Sequence, residues 1–274
     1  MKTMSFLTGV AIVALVFSVS SCSKEKLDAI SGDKVVTLQD DAQANDLSDD
    51  IDNEADDVVN GNSSLKSAVA DTTGLSGRVI VWTTNNDGTK TAVVTYTNFQ
   101  NPLAKNERVK NGIITIVVTG KRSDNTYKRV VTFTNFTING NKIEGTKTIE
   151  KVSDFVYKIT LTGGKITFTD NTFITCDLER TRTMVEGNST PLYIWDDAYT
   201  FQGTASGVNR NGVQYTKTIT VPVKIFTAYR FPVSGSFTIT AGENVFILDY
   251  GDGTLDNLAI ITLNGHSKQI MLRK

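Results

Sequence analysis

The side chains best suited to chemistry are few and scattered. The chain has one His, His266, and two Cys, Cys22 and Cys176. A hydrolytic triad needs a His base or a substitute. His266 stands in the turn Asn264-Gly265-His266-Ser267, where an exposed, idle imidazole is expected. Cys176 alternates within an apolar stretch and reads as a packed small hydrophobe rather than a nucleophile. Glycoside hydrolysis needs only two carboxylates. Asp177, Glu179, Asp196 and Asp197 are available, but no spacing marks two of them as a pair. Gly-rich phosphate loops and dinucleotide fingerprints are absent, and no cofactor is expected. No residue is assigned a catalytic role.

Two short stretches stand above this background. Pro191 to Asp197 concentrates Tyr193 and Trp195 beside Asp196 and Asp197. Exposed, these aromatics would stack a sugar ring while the carboxylates accept its hydroxyls; the commoner arrangement turns the Trp inward as a plug. The second stretch, Asp249-Tyr250-Gly251-Asp252-Gly253-Thr254-Leu255-Asp256, offers Asp249, Asp252 and Asp256 to a cation. Ca²⁺ takes six to eight oxygens, and the glycines fall where a calcium loop has ligands, so a tight turn is expected instead. The octapeptide alone resembles the Asp-Phe-Gly-Asp-Gly-Thr signature of the polycystic-kidney-disease adhesion fold.

The start of the chain reads as an export signal. Lys2 supplies a positive charge, and Phe6 to Val19 forms an apolar stretch too short for a comfortable membrane span. It ends in Val19-Ser20-Ser21-Cys22, which resembles a lipobox. The resemblance implies cleavage before Cys22 and acylation of that residue, with several acyl chains giving a stable anchor in the cell envelope, at the outer membrane. The competing reading is an ordinary signal peptide with Cys22 incidental.

Charge divides the rest. Between Val35 and Leu65 lie nine acids and no Lys or Arg, whereas Lys66 to Lys274 carries 24 Lys and Arg against 17 Asp and Glu. The overall charge of -1 hides this asymmetry. The acidic segment has no aromatic residues, so residues 22–73 read as a largely disordered tether with short helical turns near Leu47 to Val58, dispensable for folding. The basic body suits anionic glycans, a lipopolysaccharide surface or the chain's own acidic tether. Its cations are spread singly along alternating stretches, which argues against nucleic acid.

From residue 74 to the C-terminus, period-two alternation recurs between turns such as Asn139-Gly140, Asn209 to Gly212 and Asn264-Gly265. The 38 Thr, β-branched, suit a half-wet pleated surface. The fold class is therefore all-β, an antiparallel meander or sandwich of about a dozen strands. Thr146-Lys147-Thr148, Thr181-Arg182-Thr183 and Thr216-Lys217-Thr218 recur every 35 residues, as a repeated β unit or as chance in a Thr-rich sequence.

The run Phe133-Thr134-Asn135-Phe136-Thr137-Ile138-Asn139-Gly140, with Lys142 to Thr146, is similar to a family of Bacteroidota exported lipoproteins of unknown function. So are Gly203 to Gly212 and the tail from Asp249 to Arg273, and the likeness spans roughly Gly112 to the C-terminus. That family's tail usually reads Gly-Asp-Gly-x-Cys-Asp; Leu255 replaces the Cys here, so a family disulfide is not expected. The resemblance implies export and lipidation and brings no activity. The sequence supports three readings: a non-catalytic binding or scaffolding lipoprotein, a glycan-binding accessory protein at the cell surface, and a carboxylate-dependent hydrolase.

Overall fold

The computed structural model describes residues 35–61, 77–101, 108–190, 193–229 and 231–272. The expected signal peptide and Cys22 lie outside them. The described chain is one helix followed by an antiparallel meander. The helix is α1 (Val36–Gly61). The strands are β1 (Arg78–Thr84), β2 (Lys90–Gln100), β3 (Val109–Thr119), β4 (Lys128–Ile138), β5 (Asn141–Ser153), β6 (Val156–Thr167), β7 (Phe173–Glu186), β8 (Ala198–Val208), β9 (Gln214–Phe226), β10 (Ser234–Ala241), β11 (Asn244–Asp252), β12 (Leu258–Leu263) and β13 (His266–Met271). They lie in the sheet in sequence order, β1 to β13, each hydrogen-bonded to the next. That is the meander alternative of the expected all-β class. Among the described residues no helix is long and apolar enough to cross a membrane.

Alternation explains the strands directly. In β2 the residues Ala92, Val94 and Tyr96 are buried and their neighbours are not. Such a pattern puts one face of the pleat on the core and leaves the other to water. The expected Asn-Gly turns are present, with Asn139 and Gly140 joining β4 to β5 and Asn264 and Gly265 joining β12 to β13, all four in the left-handed region. Gly112 is needed for a different reason. It sits at the register shift between β3 and β4, and a Cβ there would fall 2.2 Å from the Asn135 carbonyl oxygen.

β6 runs through Gly163-Gly164, and the Gly163 N–H donates to Asp177 Oδ1 at 2.6 Å. Cys176 is half-buried rather than packed in the core.

The larger correction concerns the acidic segment. Residues 36–61 are not a disordered tether but a 26-residue helix, far longer than the short turns expected near Leu47 to Val58. It is buried on several sides: Leu38, Leu47, Ile51, Ala55 and Val58 are in the interior, and so are Asp40, Asp41, Asp49, Asp52, Glu54 and Asp56. The physical reason is that the missing counter-charges are supplied by the strands.

The chain divides into two bodies rather than the single one expected over 74–274. Ile51–Asp177 forms one, and the helix up to Asp50 with Leu178–Lys274 forms the other. In the second, Val35 and Leu38 join a core of Phe201, Val223, Phe237, Ile239, Phe246, Leu248 and Ile261.

Candidate functional site

Within the body Ile51–Asp177, inward positions of four strands carry cations where a β core normally carries apolar groups. Arg78 of β1, Lys110 of β3, Arg129 of β4 and Lys147 of β5 are all buried. Each meets a carboxylate of α1. Arg78 Nη1 donates to Glu54 Oε1 and to Asp57 Oδ2, both at 2.7 Å. Lys110 Nζ donates to the other Glu54 oxygen at 2.7 Å. Lys147 Nζ donates to Asp52 Oδ2 at 2.6 Å. Arg129 bridges two turns of the helix, with Nη1 on Asp56 and Nη2 3.4 Å from Asp52 Oδ1.

The electrostatics follow from burial and neighbours. Burial alone would raise the Glu54 carboxyl, but Lys110 and Arg78 outweigh it and hold the group below its ordinary range. Burial alone would lower the Arg129 guanidinium, but Asp56 and Asp52 outweigh it and hold it above its ordinary range. A carboxyl depressed by folding stabilises the fold fully above its unfolded value, near 4.5, and that contribution is lost as pH falls through the folded value.

The second body repeats the arrangement with different residues. Arg210, in the turn after β8, donates through Nε to Asp40 Oδ1 at 2.6 Å and through its backbone N–H to Asp40 Oδ2 at 2.8 Å. Asn209 Nδ2 donates to Thr37 Oγ1 at 2.7 Å. Lys217 Nζ donates to Asp41 Oδ2 at 2.6 Å and lies 4.1 Å from the centroid of the Phe237 ring. Burial, with the Asp41 charge, pushes the Tyr250 phenol above its ordinary range.

The 35-residue echo now has a location. Lys147, Arg182 and Lys217 lie on β5, β7 and β9, so one period is two strands with their turns. Lys147 and Lys217 each meet an acid of α1. The buried Arg182 sits with its guanidinium 5.5 Å from the centroid of the Tyr199 ring. Two of the three central cations of the echo thus hold α1.

The aromatic loop between β7 and β8 divides its four candidates. Tyr193 and Trp195 are 57% and 48% exposed, so the Trp is not the expected inward plug. Asp196, at the end of the short 3-10 turn Ile194–Asp196, accepts from the Thr190 hydroxyl at 2.7 Å. Asp197 points inward and accepts from the Tyr199 hydroxyl at 3.0 Å, while burial raises its carboxyl above the ordinary range. Room for it depends on Gly187, left-handed at φ 84°, where a Cβ would fall 2.1 Å from Asp197 Oδ1. Tyr193, Trp195 and Asp196 thus stand on one short loop, and Asp197 supports it from beneath.

The stretch Asp249 to Asp256 is not one tight turn: Asp249 to Asp252 close β11, and only Gly253 to Asp256 bend away from it. Asp249 Oδ1 accepts from Gly251 N at 2.9 Å, Asp252 Oδ1 from the Thr254 hydroxyl at 2.8 Å, and Asp256 Oδ1 from Leu258 N at 2.9 Å. Each carboxylate accepts from a group two residues further along the chain. Among the described residues no group of three or more His, Cys, Asp and Glu is placed to hold a metal ion. His266 opens β13 and is exposed.

Breaking one rung of the ion-pair ladder should be costly, and breaking it from both sides should cost less. Lys147→Met leaves Asp52 buried with its weaker partner, Arg129, and is expected to cost about 3 kcal/mol. Lys147→Met with Asp52→Asn should recover more than half of that loss. Urea midpoints at unchanged slope measure both. A single-substitution cost under about 1 kcal/mol would show that the rung is not structural.

No protein-family model, curated protein or solved structure matches this chain.

Proposed function

We propose that the protein is an exported lipoprotein, anchored in the cell envelope through Cys22, whose β body has a non-catalytic binding or scaffolding role. The observation that carries the anchor is Val19-Ser20-Ser21-Cys22, set where a short apolar stretch ends and Ser23-Lys24-Glu25-Lys26 begins. The resemblance to exported lipoproteins points the same way. The binding or scaffolding role is supported by how inward titratable groups are used: Glu54, Asp52 and Asp56 are spent on Arg78, Lys110, Arg129 and Lys147. Groups committed to holding α1 are poorly placed to transfer protons to a substrate, which directs recognition to exposed loops.

Cys22→Ser tests the anchor. The variant should be released from the membrane fraction or accumulate as an uncut precursor. A processed form that stays with membranes as the wild type does would contradict the lipobox reading.

One loop favours a second, more specific reading, a glycan-binding accessory protein. Tyr193 and Trp195 present aromatic surface beside Asp196. Aromatic faces stack on the C–H face of a sugar ring, and carboxylates accept hydroxyl protons. A glycan array probed with the wild type should give hits that Trp195→Ala lowers at least about tenfold, consistent with the area such a ring buries. Equal signals from both proteins would remove this loop as the site.

A further inference from the structure

The two-residue turn Asp154-Phe155 between β5 and β6 combines three features. The first is backbone strain. Among the described residues six non-glycine residues have left-handed φ: Asn98, Asn135, Asn139, Phe155, Asn171 and Asn264. Five are Asn, whose short polar side chain tolerates that region. Phe155, at φ 63°, is the exception, in a turn where Asn or Gly would be relaxed. The second is exposure. Phe155 is 44% exposed, and Val152, at the register shift just before the turn, is 62% exposed. The third is the charged rim. The turn after β3 lies alongside, tied on by Lys151 Nζ to the Ser123 carbonyl at 2.9 Å and Lys151 N to the Tyr127 carbonyl at 2.9 Å. Residues 120–128 and 150–158 together carry five cations, Lys121, Arg122, Lys128, Lys151 and Lys158, against three carboxylates; Lys128 pairs with Glu150, Lys151 with Asp154, and Arg122 lies 3.8 Å from Asp56 of α1.

We propose that this hairpin tip is a membrane-contact site, in which Phe155 and Val152 enter the interface of an anionic lipid surface while the surrounding Lys and Arg meet the headgroups. The tip is a convex turn two residues wide, and its cation excess is complementary to anionic headgroups. Aromatic side chains favour the depth just below those headgroups, and the long stems of Lys reach past buried apolar groups to phosphate. The base of the tip is braced, with the Tyr127 and Tyr157 rings 6.4 Å apart edge to face and Lys151 Nζ 2.9 Å from Asp154 Oδ1. Bracing holds the apolar side chains out, and the left-handed backbone at Phe155 is retained for what its ring contacts. The contact does not require acylation of Cys22, so it can be tested without the anchor.

The experiment uses the chain from Cys22 to Lys274 made without acyl groups, which contains every described residue. It is sedimented with vesicles of phosphatidylglycerol and phosphatidylethanolamine, and with vesicles of phosphatidylcholine. The wild type should sediment with the anionic vesicles, less with the neutral ones, and less as salt rises. Phe155→Asn should bind the anionic vesicles at least about tenfold more weakly and yet melt about 2–4 °C higher, because the left-handed backbone is relieved. Phe155→Gly should do the same, and Phe155→Trp should bind as tightly as the wild type. A wild type that stays in the supernatant, or a Phe155→Asn variant that binds as well as the wild type or melts no higher, would overturn the proposal. Failure of Cys22→Ser to release the protein from membranes would bear on the anchor alone.

Discussion

The structure depends on the pairing of α1 carboxylates with cations on the inward faces of the strands. Alone, the helix should not form. It repeats like charges at helical neighbours, as in Asp46 with Asp50 and Asp52 with Asp56, and carries no base to offset them. In proteins most helical stability comes from packing against the rest of the fold rather than from propensity. The strand cations are equally untenable alone, since Arg129 and Lys147 are almost fully buried. Each partner makes the other's position affordable. Helix and inward strand faces therefore form together, within each of the two bodies.

Such pairs do more for specificity than for net stability. Taking two charges out of water costs several kcal/mol per ion, and good geometry little more than repays it. What the ladder supplies is register. Lys147 reaches Asp52 and Lys110 reaches Glu54, so a helix displaced by one residue would leave buried ammonium groups facing the wrong side chains. Lys147 of β5 and Lys217 of β9 hold corresponding positions of the 35-residue echo, and each meets an acid of α1.

The strands were legible in the sequence because period-two alternation and Asn-Gly turns are local signals. Two glycines in a row usually break a strand, but at Gly163-Gly164 Asp177 of the neighbouring strand holds the Gly163 amide and the ladder continues. The helix was hidden for a non-local reason. Its apolar positions Leu47, Ile51, Ala55 and Val58 do follow a helical spacing, but nine acids drown that stripe in any estimate confined to the segment. The opposing charges of the segment and the body were visible, and docking of one on the other was among the readings they allowed. Their pairing needed the fold, since Asp52 and Lys147 are 95 residues apart in sequence. At the aromatic loop, residue types marked Tyr193 and Trp195, but only the structure separates these exposed rings from the inward Asp197. Phe155 carried no local signal, because a left-handed backbone cannot be read from one Phe.

Hydrogen–deuterium exchange over residues 36–61 of the intact chain tests the central claim most directly. If the buried ion pairs hold α1 in place, its amides exchange at neutral pH as slowly as those of the central strands, and Lys147→Met with Lys217→Met speeds them selectively. Exchange of residues 36–61 at the rate of an unstructured peptide, in a chain whose strands are protected, would contradict it.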